Sequence, residues 1–198
     1  MVNETIIIGG PGGAGKTTLS RAIGRSLDRK SLTLDDLVIA ARAITTPDTH
    51  PPLHSGRDGH LRYFTETPPQ QLIANASELA LTVWQMAERV IRHHRASKTP
   101  LVMDHWLFEP ELIAALDPAA AVLWLHIDPA ALERRERATD FTVGSTDPEA
   151  MHRNFMARSL WRNEYLAAEA EEYGQPVLRL TGKELPGDVL SAALSLLA

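Results

Sequence analysis

The feature that most constrains the fold of this chain is a glycine-rich segment that follows a short apolar run near its start. Residues 5–8 are Thr-Ile-Ile-Ile, and Gly10 to Thr17 fit the pattern G-x-x-x-x-G-K-[ST]. In this pattern glycines let backbone N–H groups curl around an anion, and the dipole of the following helix adds to the attraction. The segment therefore predicts a buried strand, a phosphate-binding turn and the start of a helix.

The same segment predicts a site for a nucleoside triphosphate and Mg²⁺. Lys16 supplies a mobile positive charge for the phosphates, and the hydroxyl of Thr17 is a ligand for the metal. The alternative is a glycine-rich turn that binds nothing, and the strand and helix patterns on either side argue against it. The predicted nucleotide-binding residues of the segment are Gly10, Gly12, Gly13, Ala14, Gly15, Lys16, Thr17 and Thr18.

Length and composition narrow the class of protein. A chain of 198 residues can bury a full core, and we expect one domain over 1–198. The net charge of −5 disfavours a long nucleic acid as partner, and the lack of cysteine excludes disulfides and thiolate catalysis. The apolar run at the start is too short for a signal peptide, and the apolar segment 189–197 is too short to cross a bilayer. We therefore expect a cytoplasmic protein without membrane contact, and no sequence feature determines its oligomeric state.

Five apolar segments of strand length alternate with helical patterns along the chain. Helical spacing is clearest after Pro68-Pro69, where ten apolar residues up to about His94 fall on one stripe. Apolar strands that alternate with helices favour a mainly parallel sheet covered on both faces, which is an α/β fold. The predicted strands span about residues 4–9, 31–34, 100–104, 121–127 and 176–180.

Two of the predicted strands end in aspartates. Ligands bind outside the carboxyl ends of parallel strands, so Asp35 and Asp104 should face the crevice that holds Lys16. Asp104 is predicted to hold Mg²⁺ through water and to border the substrate, with a helix cap as the alternative role. Asp35 is predicted to orient an acceptor hydroxyl and take its proton. Asp36 points to the other side of an extended segment and could cap the next helix, although the two roles could be exchanged.

Arginines after the fourth predicted strand indicate a lid. Arg134 and Arg137 lie three residues apart on one helical face, beside the polar segment 139–147. Positioned guanidinium groups stabilise a phosphoryl group in transfer, so 134–158 is the candidate lid region. The alternative is a solvated helix in which these arginines pair with neighbouring glutamates.

The segment 45–69 is rich in proline, glycine and histidine and shows no helical or strand pattern. Structureless loops of this length are usually functional or disordered, and we predict that this one closes over the acceptor. Arg57 or Arg62 would then contact an anionic group of the acceptor. Arg158, on a later helix, is a further candidate for binding the substrate. A plain surface loop is the alternative.

Together these residues resemble the P-loop small-molecule kinases, the group that includes shikimate, gluconate and adenylate kinases. Segments 33–41 and 101–108 look most like the chloramphenicol phosphotransferase branch, whose less specific relatives are 2-phosphoglycerate kinase-like proteins. The resemblance implies the three-layer αβα P-loop NTPase fold with about five mainly parallel strands and a helical lid. It also implies ATP and Mg²⁺ as cofactors.

The resemblance further suggests roles for individual residues. Asp35 would act as general base, Arg134 would lie against adenine, and Arg137 would reach the phosphates from the lid. Thr181 and Gly182 would border the base. Segment 45–69 matches no acceptor-binding segment of these kinases, so the acceptor stays open.

The leading hypothesis is ATP- and Mg²⁺-dependent transfer of the γ-phosphate to a hydroxyl of a small molecule, either a metabolite or an antibiotic. Lys16, Asp35 and Arg137 are the predicted catalytic residues. One alternative is a kinase that acts on a nucleotide or on the end of a polynucleotide. The other is a nucleotide-dependent switch or a partner-regulated ATPase, and the lack of an N-K-x-D sequence argues against a GTPase.

Overall fold

A five-stranded parallel sheet forms the centre of the protein, in the order β2-β3-β1-β4-β5. It is seen in a computed structural model that describes residues 5–56, 59–116 and 120–198. The predicted α/β architecture with parallel strands is confirmed. The strands are β1 (Thr5–Gly9), β2 (Lys30–Thr33), β3 (Leu101–Asp104), β4 (Ala121–Ile127) and β5 (Val177–Leu180).

Helices connect the strands, and six of those in the described ranges begin at a proline. Proline suits the first helical position because its φ is already helical and its missing N–H would have no partner there. No described helix combines the length and the apolar character needed to span a membrane. The helices are α1 (Lys16–Ser26), α2 (Leu34–Ile44), α3 (Pro51–His54), α4 (His60–Glu66), α5 (Pro69–Ala96), α6 (Pro110–Ala114), α7 (Pro129–Arg137), α8 (Pro148–Glu172) and α9 (Pro186–Leu196).

The core lies on both faces of the sheet because successive strand residues point to opposite sides. Ile7 of β1 packs in one cluster with Trp124 and with Ala80 of α5. Ile8 belongs to a second cluster, which includes Ile23 of α1. The result is the three-layer αβα arrangement that the alternation of strands and helices predicts.

Helix α2 begins earlier than the sequence pattern suggests. Asp35 and Asp36 lie in its first turn rather than at the end of a strand, and Thr33 occupies the N-cap position. The interpretation of Asp36 as a helix cap is therefore wrong. Carboxylates in the first turn of a helix are stabilised by its dipole, which favours this early start.

Segment 45–69 is not structureless, because it contains α3 and α4. Both helices are too short for a hydrophobic period to be recognised in the sequence. Helix α4 is fastened to α8, since Asn154 Nδ2 donates to the backbone oxygens of Phe64 at 3.0 Å and Thr65 at 3.1 Å. Arg57, one of the predicted acceptor contacts, lies outside the described residues.

Candidate active site

The glycine-rich turn between β1 and α1 has a backbone that only glycine adopts easily. The φ angles of Gly10, Gly13 and Gly15 are 137°, 73° and 94°. A Cβ atom at Gly10 would lie 2.6 Å from the backbone oxygen of Leu125 on the neighbouring strand. The turn therefore needs these glycines for their dihedral angles, and it needs Gly10 also for close packing against β4.

Lys16 is the first residue of α1, and its side chain folds back over the turn. The residue is 8% exposed, and its Nζ donates to the backbone oxygen of Pro11 at 2.6 Å. Burial lowers the pKa of Lys16 to about 8, against the opposing effect of the carboxylates of Asp104 and Asp35. The ammonium group is thus protonated at neutral pH but poorly hydrated, which strengthens its attraction for an anion.

Thr17 and Asp104 meet at the carboxyl end of β3. The Thr17 hydroxyl donates to Asp104 Oδ2 at 2.7 Å, across a sequence separation of 87 residues. Asp104 is 1% exposed, and its Oδ1 has no hydrogen-bond partner among the described residues. A hydroxyl beside a carboxylate with one free buried oxygen fits Mg²⁺, which prefers oxygen ligands and keeps several waters.

Asp35 lies beside this site, with both carboxylate oxygens hydrogen-bonded. Its Oδ1 is 3.2 Å from Nε2 of His105, and its Oδ2 accepts from the Thr33 hydroxyl at 3.1 Å. The hydrogen bond from His105 is the main cause that lowers the pKa of Asp35, while partial burial opposes it. The Asp35 side chain is 61% exposed. The carboxylate is therefore ionised at neutral pH and accessible to a ligand.

His105 was not predicted from the sequence as a residue of the site. It directly follows Asp104, and its backbone N–H donates to the Ile8 oxygen at 3.2 Å, so it continues the edge of the sheet at which Lys16 and Asp104 lie. A polar residue one position after a predicted strand-end aspartate was the available signal. It gave no indication that the side chain would turn toward Asp35.

A cavity of about 240 Å³ opens beside the next residue, Trp106. Arg42 of α2 also lines this cavity. It follows Asp35 by seven residues, or two helical turns, so the two residues lie on the same face of the helix. The rest of the wall combines aromatic and aliphatic side chains with a few polar groups. The wall includes Phe64, Leu72, Asn75, Leu79, Trp106 and Arg158.

Arg158 is the predicted substrate residue that lines this cavity. Its guanidinium carbon lies 5.1, 5.0 and 4.7 Å from the ring centroids of Phe64, Trp106 and Phe155. Burial lowers the pKa of Arg158 to about 10, so it stays charged at neutral pH. No carboxylate in the described part of the chain forms an ion pair with it. The charge is held by aromatic faces and is left available for a ligand.

A second cavity, of about 260 Å³, lies on the other side of the glycine-rich turn. Arg135 borders it and donates from Nη1 to the Gly13 oxygen at 2.8 Å. The turn that carries Thr181 and Gly182 is closed by Glu184, which accepts from both of their backbone N–H groups. The lining also includes Ala14, Gly15, Thr18, Leu180, Glu184 and Pro186.

The remaining predicted arginines lie away from these groups. Arg134 is exposed on α7, where its neighbour Arg135 reaches the glycine-rich turn instead. Arg137 is directed toward Glu133 at 3.2 Å and Glu149 at 3.7 Å. The side chain of Arg62 is 81% exposed and pairs with Glu66.

The segment between α7 and α8 is docked on α4. Phe141 packs edge-on against Phe64 and at a tilt against Phe155, with ring centroids 5.2 and 4.4 Å apart. The hydroxyls of Thr65 and Ser145 are 3.1 Å apart. The candidate lid and the candidate acceptor segment thus form one packed unit beside Arg158.

Arg162 shares a helical face with Arg158 but serves a different purpose. It is 1% exposed and donates to the backbone oxygens of Trp106 and Phe108 and, at 2.8 Å, to Glu109 Oε1. It therefore holds the loop after β3 in place and does not reach into the cleft.

Comparison with solved structures supports the three-layer αβα P-loop NTPase fold. No model of a protein family matches the chain, and no curated protein matches its sequence significantly. Solved structures do match it, and each match covers nearly the whole of both chains. Shikimate kinase from Bacteroides thetaiotaomicron has a TM-score of 0.56 at 17% identity, covering 98% of this chain and 97% of that one.

Two further neighbours carry related names. A sugar kinase from Janibacter sp. HTCC2649 has a TM-score of 0.58 at 12% identity, with 98% of this chain and 93% of that chain covered. A gluconokinase from Sinorhizobium meliloti 1021 has a TM-score of 0.50 at 16% identity, with 99% and 92% covered. At these identities the likeness establishes the three-layer αβα P-loop fold. The narrower resemblance to chloramphenicol phosphotransferase or 2-phosphoglycerate kinase-like proteins stays a prediction.

Proposed function

We propose that this protein is an ATP- and Mg²⁺-dependent phosphotransferase that moves the γ-phosphate to a hydroxyl of a small molecule. The observation that carries the proposal is the convergence of Lys16, the Thr17–Asp104 pair and Asp35 at one edge of the sheet. The first two features are common to kinases, switches and ATPases, and the second, exposed carboxylate beside the phosphates is the group that a kinase uses to orient an acceptor hydroxyl.

The nucleotide would extend from the glycine-rich turn into the cavity of about 260 Å³. Backbone N–H groups of the turn and Lys16 bind the phosphates. The guanidinium of Arg135 and the ring of Pro186 offer flat surfaces for a base, with the turn at Thr181 and Gly182 at its border. We therefore favour Arg135 over Arg134 as the residue against adenine.

Thr17 and Asp104 would hold Mg²⁺, which when bound offsets the negative charge of the phosphates. Asp104 Oδ1, buried and without a partner among the described residues, is suited to accept a hydrogen bond from a metal-bound water. Lys16 would stabilise the charge that develops on the leaving oxygens, and its desolvation strengthens this attraction.

Asp35 would orient the acceptor hydroxyl and receive its proton as the oxygen attacks the γ-phosphorus. Its depressed pKa keeps it ionised at neutral pH, as this role requires. The acceptor would occupy the cavity of about 240 Å³ that is lined by Trp106, Arg158 and Arg42, the last of which lies on the same face of α2 as Asp35. Drug-sized ligands occupy cavities of roughly 300 to 1,000 Å³, so a small acceptor is favoured.

The walls of this cavity also favour a particular kind of acceptor. Phe64, Leu72, Leu79 and Trp106 present apolar surface, while Arg158 presents a charge that forms no ion pair within the described residues. An acceptor with one apolar side and an anionic or strongly polar group would match both. A polyol, which carries hydroxyl groups on all sides, would have no apolar surface to pack against the apolar wall.

The test is a screen of hydroxylated metabolites and antibiotics with ATP and Mg²⁺, with mass spectrometry to detect a phosphorylated product. Asp35→Asn should remove product formation while MgADP still binds, because the amide cannot accept the proton. Asp36→Asn is the matched control, since this neighbouring carboxylate lies on the same helical turn. If Asp36→Asn is inactive and Asp35→Asn is active, Asp36 rather than Asp35 is the base. Stimulation of hydrolysis by a partner protein, with no acceptor modified, would refute the kinase proposal.

A further inference from the structure

The orientation of His105 is determined by a hydrogen bond on each side of its ring. Nδ1 accepts the backbone N–H of Leu107 at 3.3 Å. Nδ1 is therefore unprotonated, and the single proton of the neutral ring resides on Nε2. Nε2 lies 3.2 Å from Asp35 Oδ1, so the imidazole donates to the carboxylate.

The environment of His105 keeps this tautomer neutral. The residue is 2% exposed, and its ring packs near those of Trp106 and Phe108, each with a centroid distance of 6.1 Å. A neutral imidazole can donate a hydrogen bond to the carboxylate without transferring its proton, so Asp35 stays able to accept a proton from the acceptor.

Asp35 depends on outside support for its position. It lies in the first turn of α2 with a side chain that is 61% exposed, and water alone would not hold an exposed carboxylate in one rotamer. Its oxygens are fixed by His105 on one side and by Thr33 on the other. These two hydrogen bonds fix the orientation of the carboxylate, and its remaining lone pairs are available to accept a proton.

We infer that His105 is a positioning residue that holds Asp35 in the orientation in which it takes the proton of the acceptor. The inference rests on the proposed function, in which Asp35 is the base. As the acceptor oxygen bonds to the γ-phosphorus and the bond to the ADP oxygen breaks, the acceptor proton moves to Asp35. His105 keeps its own proton throughout and touches neither the nucleotide nor the acceptor.

The first measurement uses the unaltered protein and needs no acceptor. In ¹⁵N spectra of labelled histidine at pH 7.5, His105 should show a protonated Nε2 and an unprotonated Nδ1, with MgADP present or absent. A neutral ring protonated only on Nδ1 would overturn the inference, because its Nε2 could not donate to Asp35.

The second measurement follows Asp35 in variants. With the Asp carbonyl carbons labelled, the pKa of Asp35 should rise in His105→Ala, because the main stabilising hydrogen bond is lost. His105→Gln places an amide N–H near the position of Nε2 and should restore part of the shift. The control is His126→Ala, since His126 on β4 makes a similar contact to Glu164 at 2.9 Å and should leave Asp35 unchanged.

Turnover completes the test once the screen has supplied an acceptor. A positioned base contributes roughly 100- to 10,000-fold, and loss of its positioning in His105→Ala should reduce kcat by about 10- to 100-fold. The acid limb of the pH profile should move to higher pH, while the Kd for MgADP stays within about twofold. If Asp35→Asn is inactive but His105→Ala keeps both kcat and the Asp35 pKa, the inference is wrong and the proposed function stands. If Asp35→Asn is fully active, the assignment of the base itself is wrong.

Discussion

Replacing Arg162 with methionine should destabilise the protein by about 3–5 kcal/mol, because it strands a buried carboxylate. Glu109, its ion-pair partner at 2.8 Å, is 9% exposed, and its Oε2 has no partner among the described residues. Domains are typically stable by about 5–15 kcal/mol, so the loss would be a large share of the total. For a chain of this size it corresponds to a fall in Tm of roughly 6–20 °C.

The pH dependence of this loss follows from Glu109. Burial raises the pKa of Glu109, and Arg162 opposes the rise, so the pKa should rise further in Arg162→Met. A carboxyl whose folded pKa exceeds its unfolded value is penalised above the folded pKa and relieved as pH falls toward the unfolded one. The difference in unfolding free energy between the variant and the unaltered protein should therefore be smaller at pH 5 than at pH 8.

Urea unfolding followed by circular dichroism at both pH values measures this difference. The double variant Arg162→Met with Glu109→Gln removes the stranded charge and should recover part of the loss. Recovery stays incomplete because the backbone oxygens of Trp106 and Phe108 lose their donor, at about 1–3 kcal/mol each where no water replaces it. The control is Arg92→Met, which breaks an exposed pair with Glu88 and should cost less than about 1 kcal/mol. A loss below about 1 kcal/mol in Arg162→Met, or one equal at pH 5 and pH 8, would refute the reasoning.

Three further predictions concern the nucleotide site. Gly10→Ala should lower the midpoint of thermal unfolding clearly more than Gly12→Ala. A Cβ atom added at Gly10 would lie 2.6 Å from the Leu125 oxygen, whereas one added at Gly12 would meet nothing within 4 Å. Equal midpoints for the two variants would contradict this prediction. The Kd for MgADP should be flat below pH 7 and rise by up to about tenfold per pH unit above 8, as Lys16 with its pKa of about 8 loses its charge. Calorimetry should show no such rise in Lys16→Met, whose affinity is already low. Asp104→Asn should abolish the gain in ADP affinity that Mg²⁺ provides, and an undiminished gain would remove Asp104 from the metal site.

The sequence allowed the phosphate-binding turn and the sheet to be predicted because both rest on local patterns. The residues Gly10 to Thr17, which we predict to hold an anion, are contiguous, so the pattern is recognisable in eight consecutive residues. Apolar runs mark the strands, and the rule for carboxyl ends of parallel strands brings Asp104 toward Thr17, where the structure has it. The extent of α2 was missed because its first turn, with Asp35, continues an extended segment without a sequence break.

The side chains around the cleft could not be predicted in the same way. Whether Arg134 or Arg135 faces the glycine-rich turn depends on the rotation of α7 about its axis, which an exposed and charged helix does not reveal. The same uncertainty applies to Arg158 and Arg162, which share a face but differ completely in their contacts.

By itself, then, the sequence determined that a glycine-rich turn follows a strand of a parallel sheet, because that turn is built from consecutive residues. Only the tertiary structure decided what surrounds it. The contact between His105 and Asp35 spans 70 residues, and that between Arg135 and Gly13 spans 122. Contacts over such separations depend on how whole helices pack against the sheet, and packing is set by the complete core rather than by any local pattern.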